Sequence, residues 1–166
     1  MIGTQRRSYE SGHRPKFMVV VDDTPECARA VHFAARRASR TGASMVMLAV
    51  VDPPDNFEWI GVGEAMIAEA QEEAEKRLEE AAKEARAAAG LDPEQVIRVG
   101  EKSASITKLI EEDEDISFLV LAAGTGKEGP GPLVSSIAGK AASTFPIPIV
   151  IVPGSLSDDE IDALAG

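Results

Sequence analysis

Five short apolar runs set the limits on what this chain can become: Phe17–Val21, Met45–Val51, Val96–Val99, Phe118–Leu121 and Ile147–Val152. Each is bounded by a turn or a helical pattern. Most are continuous rather than alternating, so those strands need cover on both faces. That requirement belongs to a parallel sheet layered between helices. Open sheets of this kind bind ligands outside the carboxyl ends of their strands, where the strand order reverses. Here those ends carry Asp22 and Asp23, then Asp52, then a glycine cluster from Gly124 to Gly131. Acids and a glycine loop at strand ends point to a small-ligand site, and glycines admit a phosphate close to the main chain.

The 166 residues are enough for one domain with a real core, and an apolar content of 44% with 27% charged residues fits a globular chain. The net charge of −11 argues against nonspecific nucleic-acid binding and against anionic membranes, which both need clustered Lys and Arg. Cys27 is the single cysteine, so no internal disulfide forms, which suits a reducing cytoplasm. The opening segment has Arg6, Arg7 and Arg14 but no apolar centre, and reads as a flexible leader over 1–15 rather than a signal peptide. No run approaches the roughly 20 apolar residues of a membrane span. The α/β domain then covers 16–153, with an acidic tail over 154–166.

After the first run, Thr24 is placed as an N-cap and Pro25 as a first-turn proline. Ala28, Val31, Ala35 and Ala38 give this helix an inward face, and Gly42 ends it. A loop over 56–63 holds Phe57 and Trp59, which read as packing contacts or as a lid over a base. A long helix follows over 64–89, with a narrow stripe through Met66, Ala70, Ala74, Leu78, Ala81 and Ala85 and a solvated charged face. Ser103 is the expected cap of the third helix, and the fourth is expected over 133–144. Arg98 makes the third strand polar, as at an edge. The fifth strand contains Pro148 and is flanked by Pro146 and Pro153, which also fits an edge. An apolar edge strand requires cover, and pairing with the same strand of a second subunit gives a homodimer through Ile147–Val152. In the tail, Ser157 is the expected cap of a short helix.

Two nucleotide motifs fail on inspection. Gly124-Thr125-Gly126-Lys127-Glu128-Gly129 has G-x-G-x-x-G spacing, but Pro130-Gly131-Pro132 interrupts the helix that a dinucleotide fingerprint opens. Gly139-Lys140 lacks the earlier glycine and the following hydroxyl of a P-loop, since Val134 and Ala141 stand there. A third spacing fits: Gly126, Gly129 and Gly139 form G-x2-G-x9-G.

With that loop the chain resembles the universal stress protein family. The resemblance includes Val20-Val21-Asp22-Asp23-Thr24, Arg40-Thr41-Gly42-Ala43, Val50-Val51-Asp52, Val99-Gly100-Glu101 and the closing Pro146–Val152. It implies a single open parallel five-stranded sheet of order 3-2-1-4-5 with helices on both faces, similar to adenine-nucleotide α-hydrolases. It also implies a regulatory protein, commonly dimeric through strand five, that binds ATP or a related adenine nucleotide. On that resemblance Asp22 meets adenine and Val51 borders base and ribose. Gly124, Thr125, Gly126, Gly129 and Gly139 lie along the phosphate, with Ser135 and Ser136 as hydroxyl donors.

The departures are specific. Lys140 stands where the family has Ser or Thr, and either pairs with a phosphate or faces solvent. Asp23 replaces a glycine and brings a second carboxylate toward the phosphate, which Mg²⁺ would have to bridge. If the fourth strand is aligned without a gap, the family's first glycine falls on Ala123 and the loop carries about three extra residues, so two registers remain open. The alternative reading is a nucleotide-free dimeric adaptor. No nucleophile–base pair is spaced for catalysis, so at most slow hydrolysis is expected, and no metal-ligand cluster is evident. His32 reads as a helix-surface residue and Cys27 as a buried, inert thiol.

Overall fold

The computed structural model describes residues 5–53, 60–139 and 141–166. Its strands are β1 (Lys16–Val20), β2 (Ser44–Val51), β3 (Glu94–Val99), β4 (Ile116–Ala123) and β5 (Ile149–Pro153). Its helices are α1 (Cys27–Thr41), α2 (Ile60–Ala89), α3 (Lys102–Glu112), α4 (Pro132–Ala138) and α5 (Asp158–Leu164), with a 3₁₀ turn at Ala142–Thr144. The strands form one parallel sheet of order β3-β2-β1-β4-β5, the order that the resemblance implied.

The continuous apolar runs are explained by two cores, one on each face. Phe17 and Val19 of β1, with Met45 and Met47 of β2 and Val120 of β4, pack under α1 and α2. Met18, Val46, Leu48 and Leu119 point the other way, toward α3 and α4. The period of two within each strand therefore divides one apolar run between two cores. Alanines on facing sides of α1 and α2, among them Ala34, Ala35, Ala82 and Ala85, are fully buried and let the two helices approach closely. Gly42 ends α1 in the left-handed region at φ 74°, its N–H donating to the Ala38 carbonyl.

Several boundaries differ from the sequence reading, each for a local reason. α1 starts at Cys27 instead of at Pro25, because Thr24 is drawn into a turn on Asp22: its N–H and Oγ1 donate to Asp22 Oδ1 at 3.0 and 2.5 Å. α2 begins at Ile60, so it takes up part of the expected loop, while Phe57 and Trp59 lie outside the described residues. α3 is capped by Glu101, not Ser103. The Glu101 carboxylate accepts from the N–H groups of Ser103 and Ala104, which holds it below the ordinary carboxylate range. The fourth helix breaks after Ala138, where the Gly139 N–H closes on the Ser135 carbonyl and only a 3₁₀ turn follows. β5 starts two residues late: Pro148 has no N–H, although its carbonyl accepts from Leu119.

Both segments flanking the sheet are docked on the domain, the first at the α3–β4 turn and the second on α1. The stretch read as a flexible leader docks on the α3–β4 turn: Arg6 donates to the carbonyls of Asp113 and Ile116, and His13 Nδ1 lies 2.7 Å from Asp115. Ser157 caps α5 in a reciprocal capping box with Glu160, as expected for the tail. The fully buried Ile161 fixes α5 against α1. His32 is buried there rather than exposed, its Nε2 donating to Asp162 at 2.8 Å. β5 keeps its free edge, with Ile151 exposed. No helix among the described residues is long and apolar enough to cross a membrane.

Candidate functional site

The sheet order reverses between β1 and β4, because β1 leads to β2 on one side while β4 and β5 extend the other. A cleft opens at the carboxyl ends of these strands, where such folds place ligands. One lobe, of about 240 Å³, is lined by Asp22, Asp23, Thr24 and Glu26 from the β1–α1 turn, by Leu121 and Ala122 of β4, and by the 130–134 stretch. The second lobe, of about 280 Å³, is lined by Asp52 after β2, by Glu101, Lys102 and Ser103, and by Ser136 of α4. Lys102, Pro132 and Leu133 line both, so the lobes are halves of one cleft.

Of the residues nominated from the sequence, Asp22, Asp23 and Ser136 line this cleft. Asp22 Oδ1 is committed to Thr24, which fixes the carboxylate and leaves Oδ2 without a hydrogen bond among the described residues. Val51 is buried beside Asp52, its carbonyl accepting from the Gly100 N–H. The glycine loop is closed on itself: the Gly124 N–H donates to Pro130 and the Gly129 N–H to Gly126. Gly129 and Gly131 take positive φ, at 87° and 106°, so the tight turns of this loop depend on them. Gly124, Thr125, Gly126 and Gly129 are not among the lining residues: Gly124 lies against Glu26, and the loop's backbone groups are partly spent on the loop itself. Ser135 and Gly139 lie along and at the end of α4, outside the lining. A methyl group on Gly139 would sit 2.7 Å from the Ser135 carbonyl oxygen, so its glycine is required by the helix end. Lys140 lies outside the described residues.

Three lining residues were missed by sequence reasoning. Among the described residues, Lys102 is the single cation that lines the cleft, and it makes no ion pair with any of them. Its only signal is its place one residue past Glu101, at the start of a helix. Glu26 and Glu101 are the others. Glu101 spends its carboxylate on capping α3, whereas Glu26 occupies the N-cap of α1 without capping it. Cys27 borders the cleft floor and is buried, its Sγ directed at the Val20 carbonyl. Burial pushes its thiol up to about 11, so it stays protonated near neutral pH. Among the described residues no cluster of His, Cys, Asp and Glu is arranged to hold a metal ion.

A separate apolar pocket of about 250 Å³ lies at the opposite end of the strands. Phe17, Phe33 and Phe118 line it, with Arg37 as its charged residue. Phe17 and Phe118 meet edge to face with centroids 5.1 Å apart. It is filled out by core aromatics and lies away from the strand-end acids and the glycine loop.

Comparison with known proteins agrees with this architecture. No curated protein matches the sequence. Among solved structures, the chain is similar to the universal stress protein UspA from Lactobacillus plantarum, with a TM-score of 0.71 at 17% identity, over 83% of this chain and 97% of that one. It is similar to a universal stress protein in complex with cAMP, with a TM-score of 0.59 at 20% identity, over 85% and 98% of the two chains. It is also similar to the universal stress protein from Archaeoglobus fulgidus in complex with dAMP, with a TM-score of 0.56 at 18% identity, over 83% and 97%. The sequence profile of the Universal stress protein family matches residues 13–153, which is all five strands and every helix except α5. The chain therefore belongs to the universal stress protein family.

Proposed function

We propose that this protein is a universal stress-type regulatory protein that binds an adenine nucleotide in the cleft at the strand carboxyl ends. The observation that carries the reading is the position of that cleft, between β1 and β4 where the strand order reverses, with Asp22 at one side and Lys102 at the other. Relatives of the same fold are complexes with cAMP and with dAMP, which supports the adenine class. In this reading the free Oδ2 of Asp22 meets the base, the end of β2 at Val51 borders base and ribose, and Lys102 faces the phosphate. ATP with Mg²⁺ is the larger member of this ligand class. Asp23 and Asp52, neither paired among the described residues, are the carboxylates available to a bridging cation.

None of the described lining residues is a histidine, and in this reading the protein acts through binding, with at most slow hydrolysis. The exposed, apolar edge of β5 supports a homodimer formed by two β5 edges about a two-fold axis. The single buried cysteine suits a reducing, cytoplasmic setting.

A second reading, the nucleotide-free adaptor, is favoured by one specific observation: the Gly124 and Gly129 N–H groups are already bonded within their loop. Calorimetric titration of the purified protein with AMP, cAMP and Mg-ATP separates the two. Saturable one-to-one binding that Asp22→Ala weakens by about tenfold or more supports the nucleotide reading. A dimer that binds none of the three supports the adaptor.

A further inference from the structure

Two glutamates stand immediately before a helix, each at the N-cap in a strand-to-helix connection: Glu26 before α1 and Glu101 before α3. Glu101 folds back on the first turn of α3, accepting from two N–H groups. An acid at a helix start is expected to do so. Glu26 does not, although it occupies the N-cap of α1. Its carboxylate extends instead to the glycine loop, where a methyl group on Gly124 would lie 3.1 Å from Glu26 Oε1.

The other side of Glu26 is held by the segment leaving β5. A methyl group on Gly154 would lie 2.9 Å from Glu26 Cβ and 2.6 Å from the Ala123 carbonyl oxygen, and the Gly154 N–H donates to that same carbonyl at 2.9 Å. Two glycines therefore make room for one glutamate, and neither is needed for a positive φ. The carboxylate so placed has no hydrogen bond and no ion pair among the described residues.

We infer that Glu26 is a selectivity residue of the cleft, admitting the nucleoside or single-phosphate end of an adenine ligand and turning away polyphosphates. The inference rests on the nucleotide reading above and deepens it. A carboxylate lining the cleft and lying against Gly124 stands beside the glycine loop along which a phosphate chain would run, and its charge repels each added phosphate. Against it, Lys102 supplies one positive charge, which matches a monophosphate better than a triphosphate. Asp23, three residues earlier and lining the same lobe, adds repulsion of the same sign.

The test is calorimetric titration with adenosine, AMP and ATP, with and without Mg²⁺, of the wild type, Glu26→Gln and Glu80→Gln. Glu80 is exposed on α2 and outside the cleft lining, and its variant makes the same change in net charge. The expected result is that the ratio of the ATP to the adenosine dissociation constant falls by about tenfold or more in Glu26→Gln and stays put in Glu80→Gln. An unchanged ratio in Glu26→Gln overturns the inference while leaving the nucleotide reading intact, provided adenosine or AMP binds the wild type. An equal fall in Glu80→Gln overturns it in favour of overall charge. Weaker Mg-ATP binding by Glu26→Gln also overturns it, because Glu26 would then be a cation ligand and not a barrier. Failure of every ligand to bind the wild type overturns the nucleotide reading and the inference together.

Discussion

The face of α1 that receives the tail and the cleft at its start both gather acids, but they treat them in opposite ways. On the tail face, Asp158 pairs with Arg29 at 2.7 Å, and Asp162 accepts from His32 while Arg36 Nε lies 3.2 Å from the same oxygen. Arg29 and Arg37 also donate to the carbonyls of Leu156 and Ala165. In the cleft, Asp23, Glu26 and Asp52 have no such partners among the described residues, of which Lys102 is the sole lining cation. Acids that hold an element in place are compensated by neighbours from another element. Asp23 and Asp52, exposed, and Glu26, half-buried, add no pairing between elements to the fold.

This contrast can be broken or sharpened by mutation. The largest effect is expected from Ile161→Ala on the tail face. Ile161 is fully buried between α5 and α1, and its truncation should cost about 2 kcal/mol or more, read as a lower urea midpoint at constant slope. Asp162→Ala should cost about 1 kcal/mol, because it leaves the buried His32 ring without its acceptor. A null effect there would mean that charge merely decorates the tail.

Glu84 of α2 tests the same face by pH. It is half-buried, and burial raises its carboxyl above the ordinary 4.5, with Asp158 adding to the rise and His32 and Arg29 opposing it. A carboxyl raised on folding contributes stability below its unfolded value and loses that contribution as pH rises through its folded value. Glu84→Gln should therefore be more stable than the wild type at pH 7, with the advantage shrinking as pH falls through the raised value and gone below about pH 4.5, as urea melts at both ends of that range would show. The smallest effect is expected in the cleft. Asp23→Asn should stay within about 0.5 kcal/mol of the wild type, because no partner is lost. A large loss of stability there would erase the distinction between the two regions.

The layout of the sheet was legible in the sequence because burial on both faces leaves an unmistakable mark. Runs such as Met45–Val51 have no polar interruption, and the prolines around β5 identify an edge. Helix ends were less legible, since neighbouring residues compete for the same role. Thr24 is a good cap that Asp22 captures for a turn, and Ser103 yields to Glu101, whose longer side chain reaches two N–H groups. Asp22 and Asp23 were visible as cleft residues because they directly follow a strand. Glu26 and Lys102 were not, since their importance depends on the 130–133 stretch, which lies more than a hundred residues after Glu26 and about thirty after Lys102 in the chain. The burial of His32 was equally hidden, because its partner Asp162 lies on a helix outside the region that the family shares.

The central claim is that the ligand sits at the carboxyl ends of the strands, between Asp22 and Lys102. Amide hydrogen exchange of the full chain with and without saturating AMP tests it most directly, because the two cavities lie at opposite ends of the sheet. The account predicts slowed exchange in the β1–α1 turn around Asp22–Cys27 and at the start of α3 around Lys102–Ala104, with the segments around Phe33 and Phe118 unchanged. Protection confined to the Phe33 and Phe118 segments, or no protection anywhere, would contradict it.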